Sequence, residues 1–212
     1  MEDLIGPIII NLDHRTDRWS QVVGEVEQMG FIPTRFSAIK DSDGAAGCLA
    51  SHIRILEDNL SKNRPIFIIE DDAQLLVSKE ILNNIIKKFL DSSGDLLCLA
   101  YNSLEHLPFD EIFNKAVNVQ TTAAYIIKPS VQHKLLDIWK NAYEFRKTGK
   151  RDEINEAKFN NSRGRFGNSY YYADQCWKII QLENCVLIPK IRPIWQRQSF
   201  SDIEGKVMFY RC

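Results

Sequence analysis

The chain has 212 residues, 44% of them hydrophobic and 26% charged, with a formal net charge of −1. That length suits one domain, since roughly 100–200 residues is usual. A chain of this size buries about 70% of its unfolded surface, so it needs no disulfide or metal to fold. The composition excludes a disordered or collagen-like chain, and the balanced charge offers no overall field to a polyanion, which argues against a nucleic-acid binder.

Pro7-Ile-Ile-Ile-Asn11 reads as a strand buried on both faces. Trp19, Val22, Val23, Val26 and Met29 then recur at helical spacing up to Gly30, and 31–38 reads as a second strand. After the turn residues Asp41 to Gly44, the stripe Leu49, Ile53, Leu56 and Leu60 predicts a helix. Ile66-Phe-Ile-Ile69 is a fully apolar strand that runs straight into Glu70-Asp71-Asp72. A helix through Leu82, Ile85, Ile86 and Phe89, a strand over 95–100, a looser segment to about Asn118 and a strand over 121–127 follow. Pro129 opens a helix carrying Leu135, Trp139, Ala142 and Tyr143, proline being suited to a first helical turn. Residues 145–168 are polar and read as a long surface excursion, a lid or a disordered loop. Ala173, Trp177 and Ile180 mark one more helix and 185–188 one more strand. Alternating strands and helices predict an α/β sandwich with a mostly parallel sheet, whose ligands bind at the carboxyl ends of the strands.

Five cysteines (Cys48, Cys98, Cys176, Cys185 and Cys212) include no C-x-x-C pair. They give neither a disulfide framework nor a thiolate zinc site, and read as buried thiols in a reducing compartment. The amino terminus has no signal-peptide character, and no run approaches the roughly 20 apolar residues of a membrane span. A soluble, cytoplasmic protein is expected. The apolar stretch Val207 to Tyr210, just before the end, reads as a domain belonging to a longer chain.

Five segments carry possible chemistry. Three acids at the end of a buried strand raise one another's pKa unless a cation sits among them. Strand alternation lets Glu70 and Asp72 converge while Asp71 points away. Oxygen ligands suit Mg²⁺ or Mn²⁺; the alternative is a solvated turn in which Asp71 or Asp72 caps the next helix. Asn11 to Trp19 joins a strand end to a helix start and contains Arg15 and Arg18, a phosphate-binding pattern or a plain helix start with two exposed arginines. Gly47-Cys-Leu-Ala-Ser51-His52 flanks a buried helical stripe, where a structural histidine is the simpler role. Asp174 falls in the first turn of a helix after three tyrosines, as a cap or a catalytic carboxylate. Residues 194–203 are polar and follow the last strand. There is no phosphate-loop or dinucleotide glycine motif, no H-E-x-x-H, and no activated cysteine.

Taken in order, these segments resemble glycosyltransferase family 25, the lipo-oligosaccharide and collagen-type galactosyltransferases. The resemblance rests on Ile10-Asn-Leu-Asp13 with Arg15 and Asp17-Arg18, Gly47-Cys48 with Ser51-His52, Glu70 to Ala73, Thr122 to Tyr125, Asp174, and Ser201-Asp-Ile203. Within the family the chain is similar to the amino-terminal domains of chlorovirus enzymes that glycosylate the capsid protein.

The resemblance implies a GT-A fold, with a nucleotide-sugar half over 1–100 and an acceptor half over 101–212. It implies inverting transfer of a hexose or deoxyhexose from a UDP-sugar to a hydroxyl of a glycan or glycoprotein, with Mn²⁺ or Mg²⁺. By matching position, Asp72 is a metal ligand, with Glu70 beside it or on the ribose or sugar. Asn11, Leu12, Arg15 and Arg18 border the nucleotide, and Ser51 and His52 the donor pocket. Asp71, Thr122 and Ala123 join the donor-binding residues, and Asp174 is the general base. A late histidine ligand common in this fold is absent, so Gln196, Gln198 or water takes its place. A metal-dependent phosphohydrolase and a non-catalytic nucleotide-sugar-binding module are the alternatives.

Overall fold

The structure, a computed structural model, describes residues 3–163, 167–201 and 206–208. In chain order the elements are β1 (Ile5–Asn11), α1 (Thr16–Gln28), β2 (Thr34–Ser37), α2 (Gly44–Asn59), β3 (Ile66–Glu70), β4 (Ala73–Leu75), α3 (Lys79–Asp91), β5 (Leu96–Cys98), β6 (Asn102–Pro108), β7 (Phe113–Gln120), β8 (Ala124–Ile127), α4 (Pro129–Thr148), α5 (Glu153–Arg163), α6 (Ala173–Cys176), α7 (Lys178–Glu183), β9 (Val186–Pro189), β10 (Ile194–Gln196), β11 (Ser199–Ser201) and β12 (Lys206–Met208).

One sheet runs through the molecule in the order β2-β1-β3-β8-β5-β9-β7-β6. Six of its strands point one way; β7 and β8 oppose them. The expected α/β sandwich with a mostly parallel sheet is therefore present, with β8 set antiparallel between β3 and β5.

Strand alternation divides the core into two layers. Ile66 and Ile68 of β3 pack with Leu49 and Leu56 of α2 and with Leu135 and Trp139 of α4. Phe67 and Ile69 pack on the other face with Val22 and Val26 of α1 and with Ile86 and Phe89 of α3. The same parity assigns the residues beyond Ile69: Glu70 falls on the α2 side and Asp71 on the α1 side.

Helix ends follow local chemistry. Asp43 caps α2 through the amides of Ala45 and Ala46, and it also takes a two-pronged bond from Arg146 of α4 at 2.5 and 2.8 Å. Ser78 caps α3, so neither Asp71 nor Asp72 serves as its cap. Pro129 opens α4 and Gly149 closes it in the left-handed conformation.

Three sequence expectations change. The looser segment before Asn118 is the hairpin β6–β7, whose outer strand is exposed and so lacks a buried apolar signature. The polar stretch 145–168 is not a disordered loop over its described residues: α4 continues to Thr148 and α5 follows. Among the described residues its apolar anchors are Phe145, stacked on Tyr171 with ring centroids 3.6 Å apart, and the buried Phe159, too few to show a helical period. The single helix expected around Trp177 is two short ones, α6 and α7.

Gly47 shows why the G-C pair at the start of α2 needs a glycine. A Cβ there would sit 2.6 Å from the Ile39 carbonyl oxygen and 3.2 Å from the Asp41 amide, both backbone atoms. Gly47→Ala is expected to cost about 1–3 kcal/mol, read as a lower midpoint in urea; an unchanged midpoint contradicts this packing.

Candidate active site

A cavity of about 310 Å³ opens at the carboxyl ends of β1 and β3. Its wall includes Leu12, Arg18, Ser51, His52, Glu70, Asp71, Asp72 and Gln196, drawn from both sequence halves. The binding rule for open α/β sheets places ligands at this edge.

The three acids occupy three environments. Glu70, the last residue of β3, faces α2 as its parity requires. Its Oε1 accepts from Thr122 Oγ1 at 2.7 Å and lies 3.3 Å from His52 Nε2. Burial pushes Glu70 up, but the bonds and charge from His52 and the Thr122 hydroxyl leave it below the usual carboxylate range. Behind it, His52 Nδ1 lies 2.9 Å from Tyr125 Oη in the core. Ala123 adds a backbone link, its carbonyl accepting from the Glu70 amide at 2.7 Å.

Asp71 lies on the α1 side, where Arg18 Nη1 reaches its Oδ1 and Asn11 Nδ2 its Oδ2, both at 2.7 Å. It does not point away from the site: the chain turns after Glu70, and all three acids line one cavity. Burial raises its pKa despite Arg18. Asn11 itself is held by Arg35 and sits behind Asp71, outside the cavity wall.

Asp72 is pinned by the small ribbon β4–β10. In that ribbon Gln196 pairs with Ala73, and its Nε2 donates to Asp72 Oδ2 at 3.2 Å. The other oxygen, Asp72 Oδ1, is buried without a hydrogen-bond partner among the described residues. Burial, then the charge of Glu70, lifts this group to about 7. An orphaned carboxylate oxygen among other acids is a site that a cation fits. Gln198 is exposed, which leaves Gln196 as the glutamine beside Asp72.

Other expected residues serve differently. Arg15 forks onto Asp17 and is absent from the cavity wall. Ser51 donates to the Gly47 carbonyl and accepts from the Ile39 amide, so its hydroxyl anchors the cavity rim. Asp174 stands in the first turn of α6, off the cavity wall, yet close enough that its charge acts on the Cys48 thiol. Burial and the Glu70 charge raise its pKa against Lys178 and hydrogen bonds from Gln175 and the Thr121 amide. Thr121 has a φ of 92°, a strained value for a β-branched residue, just before Thr122. Asp202 and Ile203 lie outside the described residues.

The model for glycosyltransferase family 25 (LPS biosynthesis protein) matches residues 40–154, more than half of the chain. The chain belongs to glycosyltransferase family 25. As a member it is a transferase, and membership implies a sugar donor and a glycan acceptor. No curated protein matches it. Among solved structures, it is similar to a glycosyltransferase involved in glycosylation of the major capsid of PBCV-1. Identity there is 12%, over 88% of this chain and 92% of that one, with a TM-score of 0.43. It is also similar to a protein described as mannose-1-phosphate geranyltransferase from Thermus thermophilus, at 8% identity over 92% and 74% of the two chains, with a TM-score of 0.44. Likenesses this faint have no bearing on function. No helix among the described residues is long and apolar enough to cross a membrane.

Four polar or sulfur-bearing side chains on the wall of this family 25 cavity are not assigned to a site from the sequence: His14, Lys40, Asp41 and Cys48. For Cys48 a signal existed, its i,i+4 spacing from His52 on one helix face. Tyr125, which backs His52, reads in the sequence as a strand and motif residue with no role at the site.

Asp72 gives a pH test in chelator-treated protein. Its pKa rises from 3.8 unfolded to about 7 folded, so ionising it costs stability as pH climbs through that window and costs nothing below about 4. Asp72→Asn is therefore expected to melt above wild type at pH 8, with the gap closing near pH 4. A gap independent of pH contradicts the assignment.

Proposed function

We propose that this domain transfers a hexose or deoxyhexose from a UDP-sugar to a hydroxyl of a glycan or glycoprotein acceptor, inverting the anomeric carbon, with Mn²⁺ or Mg²⁺ as cofactor. The observation that carries most weight is Asp72, a strand-end carboxylate on a cavity wall with one oxygen that has no hydrogen-bond partner among the described residues. Asp72 would hold the ion, with Gln196 and Glu70 beside it, an oxygen donor set of the kind hard cations take. Bound there, a divalent ion supplies positive charge against the charge that develops on a diphosphate leaving group.

The remaining work falls to the chain's own residues. Arg18 brings a fixed positive charge to the same wall and, with Asn11, holds Asp71 in place. Leu12, Ile10 and Ile39 offer apolar surface for a nucleobase. Ser51 fixes the rim that carries Ile39, and Thr122 with His52 orients Glu70. Asp174 would take the proton from the attacking acceptor hydroxyl. Its raised pKa makes it a stronger base, and the Thr121 amide aims it. Holding donor and acceptor at attacking distance supplies the rest of the acceleration.

Calorimetry and turnover separate these roles. Asp72→Ala is expected to lose Mn²⁺-dependent UDP-sugar binding, and unchanged affinity removes Asp72 from the metal site. Asp174→Asn is expected to keep donor binding while turnover drops about 10²–10⁴-fold; near-normal turnover rejects it as the base.

A further inference from the structure

Cys48 and His52 lie four residues apart on α2, so both project from one helix face. That face meets the end of β3. The ligand atoms of Cys48, His52 and Glu70 all lie within 4.8 Å of one another, and all three residues line the cavity. A tetrahedral site with one sulfur, one nitrogen and one oxygen donor places those atoms roughly 3–4 Å apart. The 3.3 Å between His52 Nε2 and Glu70 Oε1 already has that spacing.

The geometry points to a second metal site beside the one at Asp72, with Glu70 shared between them, which takes a borderline-soft dication such as Zn²⁺ or Co²⁺ through Cys48 Sγ, His52 Nε2 and Glu70 Oε1. Two features beyond the trio support it. Metal-bound histidines fix their ring through the other nitrogen, and His52 Nδ1 is 2.9 Å from Tyr125 Oη, which can accept a hydrogen bond from it. Ligating carboxylates are themselves hydrogen-bonded, and Thr122 Oγ1 supplies that bond to Glu70. Three protein ligands on a cavity wall leave the fourth position open to water or a ligand. Binding releases the Cys48 thiol proton to solvent and leaves the imidazole proton on Nδ1. A thiolate and an imidazole in the donor set select against Mn²⁺ and Mg²⁺, so this site does not duplicate the proposed cofactor site and does not depend on the donor being a UDP-sugar.

Cobalt gives a readout independent of transfer activity. Chelator-stripped full-length chain titrated with Co²⁺ is expected to develop a near-ultraviolet thiolate-to-cobalt absorption that saturates at one equivalent and is bleached by Zn²⁺. Asp72→Asn is expected to retain it, whereas Cys48→Ser and His52→Ala lose it and Tyr125→Phe, which removes the partner of His52 Nδ1, binds about 10–100-fold more weakly. Absence of the band in wild type, or an unaltered band in Cys48→Ser, overturns the site. A second measurement needs no variant: Zn²⁺ is expected to slow alkylation of Cys48, located by peptide mapping. A labelling rate unchanged by saturating Zn²⁺ overturns the site as well.

Discussion

Carboxylates crowded together and largely buried persist only where positive charge or hydrogen-bond donors meet their oxygens. In this domain that requirement organises the carboxyl edge of the sheet. Arg18 and Asn11 bond Asp71, Thr122 and His52 meet Glu70, and Gln196 bonds one oxygen of Asp72, which Arg18 also approaches at 3.7 Å. The partners come from β1, α1, α2, the β7–β8 link and β10, so the edge is assembled from most of the chain. A buried pair such as Arg18–Asp71 adds little net stability, since desolvation offsets much of the attraction. It does set the direction of the side chains beside it, which a small binding cavity needs.

The acids are adjacent in sequence but separate in kind because a strand and a turn treat them differently. Parity hands Glu70 to the α2 layer, where donors lower its pKa. Asp72 lies past the turn, where burial and the neighbouring Glu70 charge raise it. Neighbouring carboxylates driven in opposite directions are suited to different tasks, one as an oriented anion and the other as a position awaiting a cation.

Much of this was legible in residues 1–100. Apolar β-branched runs and regular helical stripes left little ambiguity, and the strand-end acids, Arg18, Ser51, His52 and Gln196 do line one cavity. Three kinds of feature were hidden. Exposed pairing hid the β6–β7 hairpin, whose outer strand lacks a buried face. Sparse anchoring hid α5, which shows Phe159 as its buried apolar residue. Long-range pairing hid the β4–β10 ribbon, because nothing local says that Gln196 returns to Asp72 across 124 positions. Arg15 and Asn11 show the complementary case, in which the right segment was found but its side chains serve as support.

The reversed direction of β8 has a bearing on how the two halves of the sheet communicate. Since it opposes β3 and β5, its amino end meets their carboxyl ends, and the short link Thr121-Thr122-Ala123 enters the rim from below. Those three consecutive residues touch Asp174 through an amide, Glu70 through a hydroxyl and the Glu70 backbone through a carbonyl. A single tripeptide, its first residue held in a strained conformation, is thus a mechanical bridge between α6 and the last residue of β3. Two carboxylates far apart in sequence, Glu70 and Asp174, are held to neighbouring points of one short backbone segment.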